Sequence, residues 1–339
     1  MTSSARDILI GIDAGTSVIK AVAFDLAGRQ IALASVPNRY TTRPDGAAFQ
    51  SLDATWFDCA QTLRALAEFV PDVAKRTAAL AVTAQGDGTW LVGQGDQPIT
   101  DGWIWLDSRA VGTVHRLRNL PTDRTRFELT GTGLNACQMG TQLAHMQATT
   151  PEFLASAEVA LHPKDWLYLN LTGQRVTDPS EANFTFGNFR TRRYDADVIA
   201  ALGLTKYRHL LPEIVDGSHT THKLSARAAK ATGLLEGTPV SLGYVDVVCT
   251  ALGAGIYTGN ETANSSAGCT IIGSTGMHML AKSVQDVVLN ADATGYVMVL
   301  PLPGKVAQIH TNMASTLNID WILKLATDLA ADLNQTVLK

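Results

Sequence analysis

The sequence has few charged residues and lacks the marks of an exported or membrane-embedded chain. Asp, Glu, Lys and Arg make up 17% of the 339 residues, and the formal net charge is -4. The absence of a long basic run argues against nucleic acid as a main partner. No apolar stretch approaches the roughly 20 residues that span a bilayer. The polar residues 1–7 also lack the apolar segment of a signal peptide. We therefore expect a cytoplasmic protein without a membrane partner.

Cysteine is scarce and scattered. The four cysteines form no Cys-x-x-Cys pair, which indicates reduced thiols. His219 and His222 stand three residues apart, but no third ligand is near in the sequence, so we expect them in a solvated loop. Neither residue type therefore predicts a metal centre.

A glycine turn between two apolar strands is the most informative feature that the sequence does have. From position 11 it reads Gly-Ile-Asp-Ala-Gly-Thr-Ser-Val-Ile-Lys. Gly15 allows an anion to approach the backbone, while the amides and hydroxyls of Thr16 and Ser17 can donate to phosphate oxygens, with Lys20 beside them. Asp13 cannot donate, so it suits a divalent metal held through water. The turn predicts a metal–nucleotide site, and a plain β-hairpin is the alternative.

Apolar runs and turn residues predict a mixed α/β fold, in two domains or one large one. Strands are expected at 8–13, 18–25 and 30–36 as a meander, and then at 78–83, 90–92, 99–105 and from 240 to Asp246. Helices are expected from a cap at Asp53 to position 69, and near 108–118, 139–148, 194–202, 223–233 and 247–255.

Asp246 is predicted to end a buried strand directly before a helix. The helix N-terminus favours its ionised form, which keeps the carboxylate a hydrogen-bond acceptor at neutral pH. Such a group can take the proton from a hydroxyl that attacks ATP, which is the general-base role in phosphoryl transfer. A purely structural helix cap is the alternative.

A second small-residue turn, at Gly268, Cys269 and Thr270, weakly repeats the first one. Two such turns about 250 residues apart indicate two related domains that face each other across a nucleotide. Two unrelated glycine turns are the alternative.

Two polar–aromatic segments suit the recognition of a polyol. Gln85, Gly86 and Asp87 lie in a glycine-flexible loop, and Trp105 and Asp107 belong to a second cluster. Each hydroxyl of a polyol needs a hydrogen-bond partner once water is removed. An ordinary surface loop and a buried strand would explain these segments as well.

In their order along the chain, these segments resemble the FGGY family of carbohydrate kinases, within the actin-like ATPase superfamily. The matching segments are 13–20, 85–89, 105–109, 163–166, 177–180, 243–246 and 268–270. The resemblance implies an actin-like (ribonuclease H-like) fold, with a mixed sheet and flanking helices. It also implies a sugar-binding domain over 1–250 and the start of a nucleotide-binding domain over 251–339. Family members are typically longer, so the second domain is expected to be incomplete.

The family transfers the γ-phosphoryl group of Mg-ATP to a terminal hydroxyl of a polyol or sugar, and the resemblance assigns roles in that reaction. Asp246 matches the general base, and Asp13 matches a position near magnesium. The predicted phosphate-binding residues are Gly15, Thr16, Ser17, Lys20, Gly268, Cys269 and Thr270. The predicted substrate-binding residues are Gln85, Gly86, Asp87, Trp105 and Asp107.

Further stretches at 36–40, 85–90, 130–137 and 178–187 resemble family members that act on erythritol, which is therefore the expected substrate.

Two positions depart from the pattern of the family. Val247 stands where many relatives have Asn or Gln, and Gly-Cys-Thr at 268–270 replaces the commoner Gly-Thr-Ser or Gly-Thr-Thr. Two other functions stay open: a non-catalytic sugar-binding remnant, and an actin-like ATPase without a sugar substrate. A homodimer is also expected.

Overall fold

The structure is a computed structural model, and it describes residues 6–256, 267–273, 276–312 and 315–337. In this part of the chain the strands are β1 (Ile8–Ala14), β2 (Val18–Asp25), β3 (Gln30–Pro37), β4 (Thr41–Thr42), β5 (Ala48–Gln50), β6 (Thr77–Ala84), β7 (Trp90–Val92), β8 (Gly102–Trp103), β9 (Val159–Leu161), β10 (Val176–Thr177), β11 (Gly187–Asn188), β12 (Arg193–Tyr194), β13 (Glu213–Ile214), β14 (Thr221–Lys223), β15 (Pro239–Leu242), β16 (Gly268–Ile272), β17 (Gly276–Ser283), β18 (Tyr296–Val299) and β19 (Lys305–Asn312).

The α-helices in the same residues are α1 (Leu52–Phe69), α2 (Val73–Arg76), α3 (Val111–Arg118), α4 (Asp123–Thr130), α5 (Met139–Thr149), α6 (Pro151–Ser156), α7 (Pro163–Thr172), α8 (Pro179–Thr185), α9 (Ala196–Ala201), α10 (Ala226–Thr232), α11 (Asp246–Gly253) and α12 (Thr316–Val337). Short 3-10 helices cover Gln94–Asp96, Thr205–Leu210 and Val284–Asp286.

A six-stranded mixed sheet carries the first part of the fold, in the order β14-β15-β6-β1-β2-β3. β1, β2 and β3 form the predicted antiparallel meander, and β6 pairs in parallel with both β1 and β15. Because parallel strands end on the same side, the chain leaves β1, β6 and β15 at one edge of the sheet.

Buried and more exposed residues alternate along β1, so one face of this sheet is apolar and can form a core. Ile8, Ile10 and Ile12 are buried on one face, as the two-residue period of a strand requires. Helix α1 packs on that face and contributes Cys59 and Leu63 to the same hydrophobic cluster. The helix was predicted to begin with a cap at Asp53. It begins at Leu52 instead, because the Ser51 side chain caps it by accepting a hydrogen bond from Ala54 N at 3.3 Å.

A second, four-stranded antiparallel sheet has the order β16-β17-β19-β18. Its buried residues, among them Val299 and Ile309, share a hydrophobic cluster with Phe189 and with Val248 of α11. Position 250, the predicted domain boundary, thus falls inside a helix whose side chains pack with this sheet. The division into domains 1–250 and 251–339 stays a prediction.

Several predicted elements have different bounds in the structure. The strand expected at 99–105 is reduced to β8, because the chain turns at Ile104, whose carbonyl accepts from Asp107 N at 2.9 Å. The strand expected to reach Asp246 ends at Leu242. His222, expected in a solvated loop, lies in β14, with its Nδ1 atom 2.8 Å from the Tyr168 hydroxyl.

Helices α2, α4, α6, α7 and α8 were not predicted. Helix α12 is the longest helix in the part of the chain that the structure describes. Neither α12 nor any other helix in the described residues combines the length and apolar character needed to cross a membrane.

Two glycines provide a matched test of the packing. A Cβ atom at Gly102 would lie 2.5 Å from the buried ring of Trp90, whereas one at Gly112 in α3 would meet nothing within 4 Å. We expect Gly102→Ala to lower the free energy of unfolding by about 1–3 kcal/mol, because the indole cannot move without disturbing the core. Gly112→Ala, the control, is expected to raise it by about 0.5–1 kcal/mol, because alanine favours a helix. Urea unfolding measures both, and equal changes in the two variants would contradict this description of the core.

Candidate active site

Polar side chains gather at the edge where β1, β6 and β15 end. The glycine turn follows β1, the loop that begins at Gln85 follows β6, and Asp246 starts α11 shortly after β15. Gln85 N donates to Ala14 O at 3.1 Å, and Gly243 N donates to Val82 O at 2.8 Å, so each departing segment stays attached to its neighbour. In open α/β sheets, ligands bind outside the carboxyl ends of the strands. The fold therefore brings three separately predicted segments to one candidate site.

A closed set of hydrogen bonds braces the glycine turn. The Thr16 hydroxyl donates to Gln85 Oε1 at 2.8 Å and accepts from Trp105 Nε1 at 2.7 Å. Gln85 Nε2 donates to Gln50 Oε1 at 2.6 Å, and Gln50 Nε2 donates to the Thr16 carbonyl at 2.9 Å. The predicted phosphate turn and two of the predicted substrate residues, Gln85 and Trp105, are thus parts of one network. The Thr16 hydroxyl and the Gly15 amide, which donates to Val18 O at 3.0 Å, are engaged within the protein, so the Ser17 hydroxyl and the amides of Thr16 and Ser17 are left as donors for a phosphate.

Asn38 holds the other side of the same turn. Its buried side chain donates to Gly15 O at 2.8 Å, and its backbone amide donates to Ser17 O at 2.8 Å. Sequence reasoning missed both Asn38 and Gln50, because each lies more than twenty residues from the turn that it braces.

Asp13 and Lys20 face each other across the β1–β2 ladder, with 3.8 Å between Asp13 Oδ2 and Lys20 Nζ. Burial raises the pKa of Asp13, and the Lys20 charge opposes that rise. In the described part of the chain no three His, Cys, Asp or Glu side chains cluster as metal ligands. Magnesium usually keeps several waters and takes one or two carboxylates together with substrate phosphates. The hard carboxylate oxygens of Asp13 therefore fit such an ion.

Asp246 is the first residue of α11 and is mostly buried. Burial and the negative charges of Asp13 and Asp87 together raise its pKa to about 7, against the lowering effect of a hydrogen bond from Val247 N at 2.7 Å. The sequence predicts that the helix N-terminus favours the ionised carboxylate and keeps it a hydrogen-bond acceptor at neutral pH, and a pKa of about 7 leaves it partly ionised there. The helix amide does favour the ionised form, but lost solvation and two acidic neighbours outweigh it.

Asp87 presents a buried carboxylate oxygen that has no protein partner. Its Oδ2 atom accepts from the Cys137 thiol at 3.3 Å, whereas Oδ1 has no hydrogen bond. Burial raises the pKa of Asp87 to about 6, against the lowering effect of Cys137. A Cβ atom on the preceding Gly86 would come within 2.6 Å of Val245 Cγ2, so this loop packs directly on the residue before Asp246. The Oδ1 atom of Asp87 can therefore accept a hydrogen bond from a hydroxyl group of a ligand.

The Asp107 carboxylate is hydrogen-bonded to other residues of the protein. Its carboxylate accepts from Ala48 N at 2.9 Å and from Arg109, whose Nη2 atom is 2.6 Å away. The Arg109 guanidinium lies 3.5 Å from the ring centroid of Trp103. The carboxylate thus joins β5 to the turn after β8, and direct contact of Asp107 with a substrate stays a prediction.

The second predicted phosphate turn is a strand in the structure. Gly268, Cys269 and Thr270 belong to β16 and pair with Leu280, Met279 and His278 of β17. The β-branched Ile271 and Ile272 that follow favour this extended ladder over a turn. The preceding small residues, 262–266, lie outside the described residues. Phosphate binding by residues 268–270 stays a prediction.

Next to the site lies a buried ionic cluster, built from residues of the segments 163–166 and 177–180. Lys164 Nζ is 2.6 Å from Asp165 and 2.7 Å from Asp178, and all three side chains are fully buried. Burial alone would raise the pKa of Asp165, but Lys164 and His162 lower it to about 2. His162 also lies 3.4 Å from Glu181, whose pKa burial raises to about 8. The cluster is therefore a network of fixed charges and one protonated acid.

A family model and the sequences of known proteins both match this chain to carbohydrate kinases. The model of the FGGY family of carbohydrate kinases, N-terminal domain, matches residues 8–253. An erythritol kinase of Brucella abortus (strain 2308) is 64% identical over 323 residues, which are 95% of this chain and 61% of that protein. An L-xylulose/3-keto-L-gulonate kinase of Escherichia coli (strain K12) is 28% identical over 73% of this chain and 50% of its own length. This chain thus spans 61% and 50% of the lengths of these two relatives.

Solved structures show the same fold. A xylulose kinase from Rhodospirillum rubrum superposes with a TM-score of 0.83 at 22% identity, over 94% of this chain and 64% of that one. A Plasmodium falciparum glycerol kinase with ADP gives 0.79 at 15% identity, over 94% and 63%. The expected actin-like fold is confirmed.

The raised pKa of Asp246 makes a prediction that does not depend on activity. The folded protein holds this proton up to about pH 7, whereas an unfolded Asp loses it near pH 4. Folding stability therefore falls as the pH rises from about 4 to about 7, because in this range the unfolded chain has released the proton and the folded chain still holds it. Without metal, we expect the stability of Asp246→Asn relative to the wild type to be about 1–3 kcal/mol higher at pH 8 than at pH 5. Urea unfolding in EDTA at both pH values measures this. Asp53→Asn on the exposed start of α1 is the control, and a pH-independent difference for Asp246→Asn would contradict the burial of its charge.

Proposed function

The chain belongs to the FGGY family of carbohydrate kinases, and we propose that it forms the substrate- and phosphate-binding part of an ATP-dependent polyol kinase. The observation that carries the proposal is the position of Asp246. It stands at the carboxyl edge of the sheet, close enough to Asp13 and Asp87 for their charges to raise its pKa. A base, a phosphate turn and a hydroxyl acceptor are thus available at one site.

Erythritol is the substrate that we propose. The name of the 64% identical relative supports this choice, and so does the chemistry of the pocket. The unpartnered Oδ1 atom of Asp87 can accept a hydrogen bond from a substrate hydroxyl, and Trp105 is 37% exposed beside the turn that it braces. A polyol offers both a hydroxyl for the carboxylate and C–H groups for the indole.

In the proposed mechanism, a terminal hydroxyl of the polyol donates a hydrogen bond to ionised Asp246. Asp246 takes the proton as the hydroxyl oxygen forms a bond to the γ-phosphorus of ATP, and the bond from that phosphorus to the bridging oxygen of ADP breaks. A base with a pKa near 7 is well matched to this transfer at neutral pH. The turn at Gly15–Ser17 would orient the phosphates. Magnesium would neutralise their charge, and Asp13 is the residue that would hold it through water.

An ATPase without a sugar substrate is the second candidate. It would need neither a buried hydroxyl acceptor at Asp87 nor an indole tied to the phosphate turn, so these features favour the kinase. A cytoplasmic location and a homodimer stay predictions from the sequence.

We expect Asp246→Asn to lower kcat by about 100- to 10,000-fold, because the variant lacks a proton acceptor for the attacking hydroxyl. Polyol affinity is expected to change little, because an amide of the same shape still hydrogen-bonds to the hydroxyl. An ATP-consumption assay with erythritol measures kcat, and calorimetry measures polyol binding. Asp53→Asn is again the control. Undiminished turnover would rule out Asp246 as the base.

We expect kcat/KM for the polyol to rise about tenfold per pH unit below pH 7 and to level off above it, because only ionised Asp246 accepts the proton. Asp87, with a pKa of about 6, adds a second titration below that point. Steady-state rates between pH 5 and 9 test this profile. ATP consumption that is the same with and without any four- to six-carbon polyol would instead favour the ATPase.

A further inference from the structure

We propose that Ser180 is a positioning residue that fixes the backbone directly before Asp246 and thereby sets where the base stands. The inference rests on the proposed role of Asp246. Ser180 itself lies in α8, is fully buried and is not among the residues predicted to touch polyol or ATP.

The Ser180 hydroxyl connects two parts of the fold. It donates to Asp178 Oδ2 and accepts from Val245 N at 3.0 Å. Val245 is the residue before Asp246, and its N–H belongs to the peptide that joins Tyr244 to Val245. Both bonds are buried, and a buried amide left without a partner is costly, which favours keeping this bond.

The carboxylate that orients Ser180 is itself fixed from several sides. Asp178 Oδ1 lies 2.7 Å from Lys164 Nζ, and Asp178 Oδ2 also accepts from Ser180 N at 2.6 Å. Lys164 is held in turn by Asp165 on its own helix, α7. Because the hydroxyl proton is committed to this charged acceptor, a lone pair of Ser180 Oγ stays aimed at Val245 N.

Other contacts on the β15–α11 connection act earlier in the chain. Gly243 N donates to Val82 O at 2.8 Å, and the Thr83 hydroxyl donates to Tyr244 O at 2.6 Å. These bonds tie the connection to β6, and the Tyr244 carbonyl belongs to the same peptide as Val245 N. Thr83 holds the carbonyl end of this peptide and Ser180 holds its N–H end, so the Ser180 bond completes its orientation one residue before α11 begins.

Position matters for this reaction because a general base works only within hydrogen-bond distance of the hydroxyl that it deprotonates. A displacement of about 1 Å in a reacting group can cost about 100-fold in rate. A change that frees Val245 N should therefore reduce kcat while leaving the binding surfaces of the polyol and ATP in place.

The test compares two variants of the same helix. Ser180→Ala removes the bond to Val245 N, whereas the control Asn183→Ala removes a buried bond from Asn183 Nδ2 to Pro179 O, 2.7 Å, inside α8. We expect Ser180→Ala to lower kcat about 10- to 100-fold with the KM values for polyol and ATP within about threefold. Asn183→Ala is expected to keep kcat, at a temperature where both variants are folded. Equal kcat values in the two variants, or a loss of activity expressed only in KM, would overturn the proposal.

A second readout does not need turnover. Hydrogen exchange of the Val245 amide should accelerate at least tenfold in Ser180→Ala and remain unchanged in Asn183→Ala. If the wild type consumes no ATP with any polyol, the proposed function fails, and the exchange rates still decide whether Ser180 holds this peptide. Unchanged exchange in Ser180→Ala would overturn the inference.

If Ser180→Ala does not fold, Ser180→Cys keeps a side chain of similar size with a weaker donor and acceptor. We expect Ser180→Cys to lower kcat and to accelerate exchange of the Val245 amide as well, but by smaller factors than Ser180→Ala. A folded Ser180→Cys variant with wild-type kcat and exchange would overturn the proposal.

Discussion

Parallel pairing of β6 with both β1 and β15 is the constraint on which the site depends. The three strands come from distant parts of the sequence, yet they must end at one edge of the sheet. Asp13, Asp87 and Asp246 therefore meet, although more than 230 residues separate the first from the last. Their mutual repulsion and burial give Asp246 an affinity for a proton that an isolated aspartate lacks.

Buried charge supports this edge of the sheet. Lys164 neutralises Asp165 and Asp178 where water is excluded, and removing one member of such a cluster typically costs about 3–5 kcal/mol. The cluster joins α7 to the N-cap residue of α8. Ser180 is hydrogen-bonded both to that residue and to the backbone just before α11. These buried charges contribute less to net stability than to holding α7, α8 and the start of α11 in a single arrangement.

The sequence allowed the local features to be predicted, and the family that it resembles is confirmed. The meander and the junction at Asp246 follow from apolar periodicity and turn residues. The braces at Asn38 and Gln50 could not be predicted, because they depend on contacts distant in sequence. Helix α8 could have been found, since Asp178 followed by Pro179 is a strong start signal for a helix. The pKa of Asp246 needs burial and neighbours that only the folded chain supplies.

The hydrogen bonds around Thr16 also bear on how two ligands would influence each other. Trp105 and Gln85, both predicted to contact a polyol, bond directly to the hydroxyl in the phosphate turn. A ligand that moves either side chain changes the turn, and a phosphate that moves the turn changes the pocket. Thermodynamic reciprocity makes the two effects equal in free energy, so cooperativity between the two ligands would be a property of this one hydroxyl.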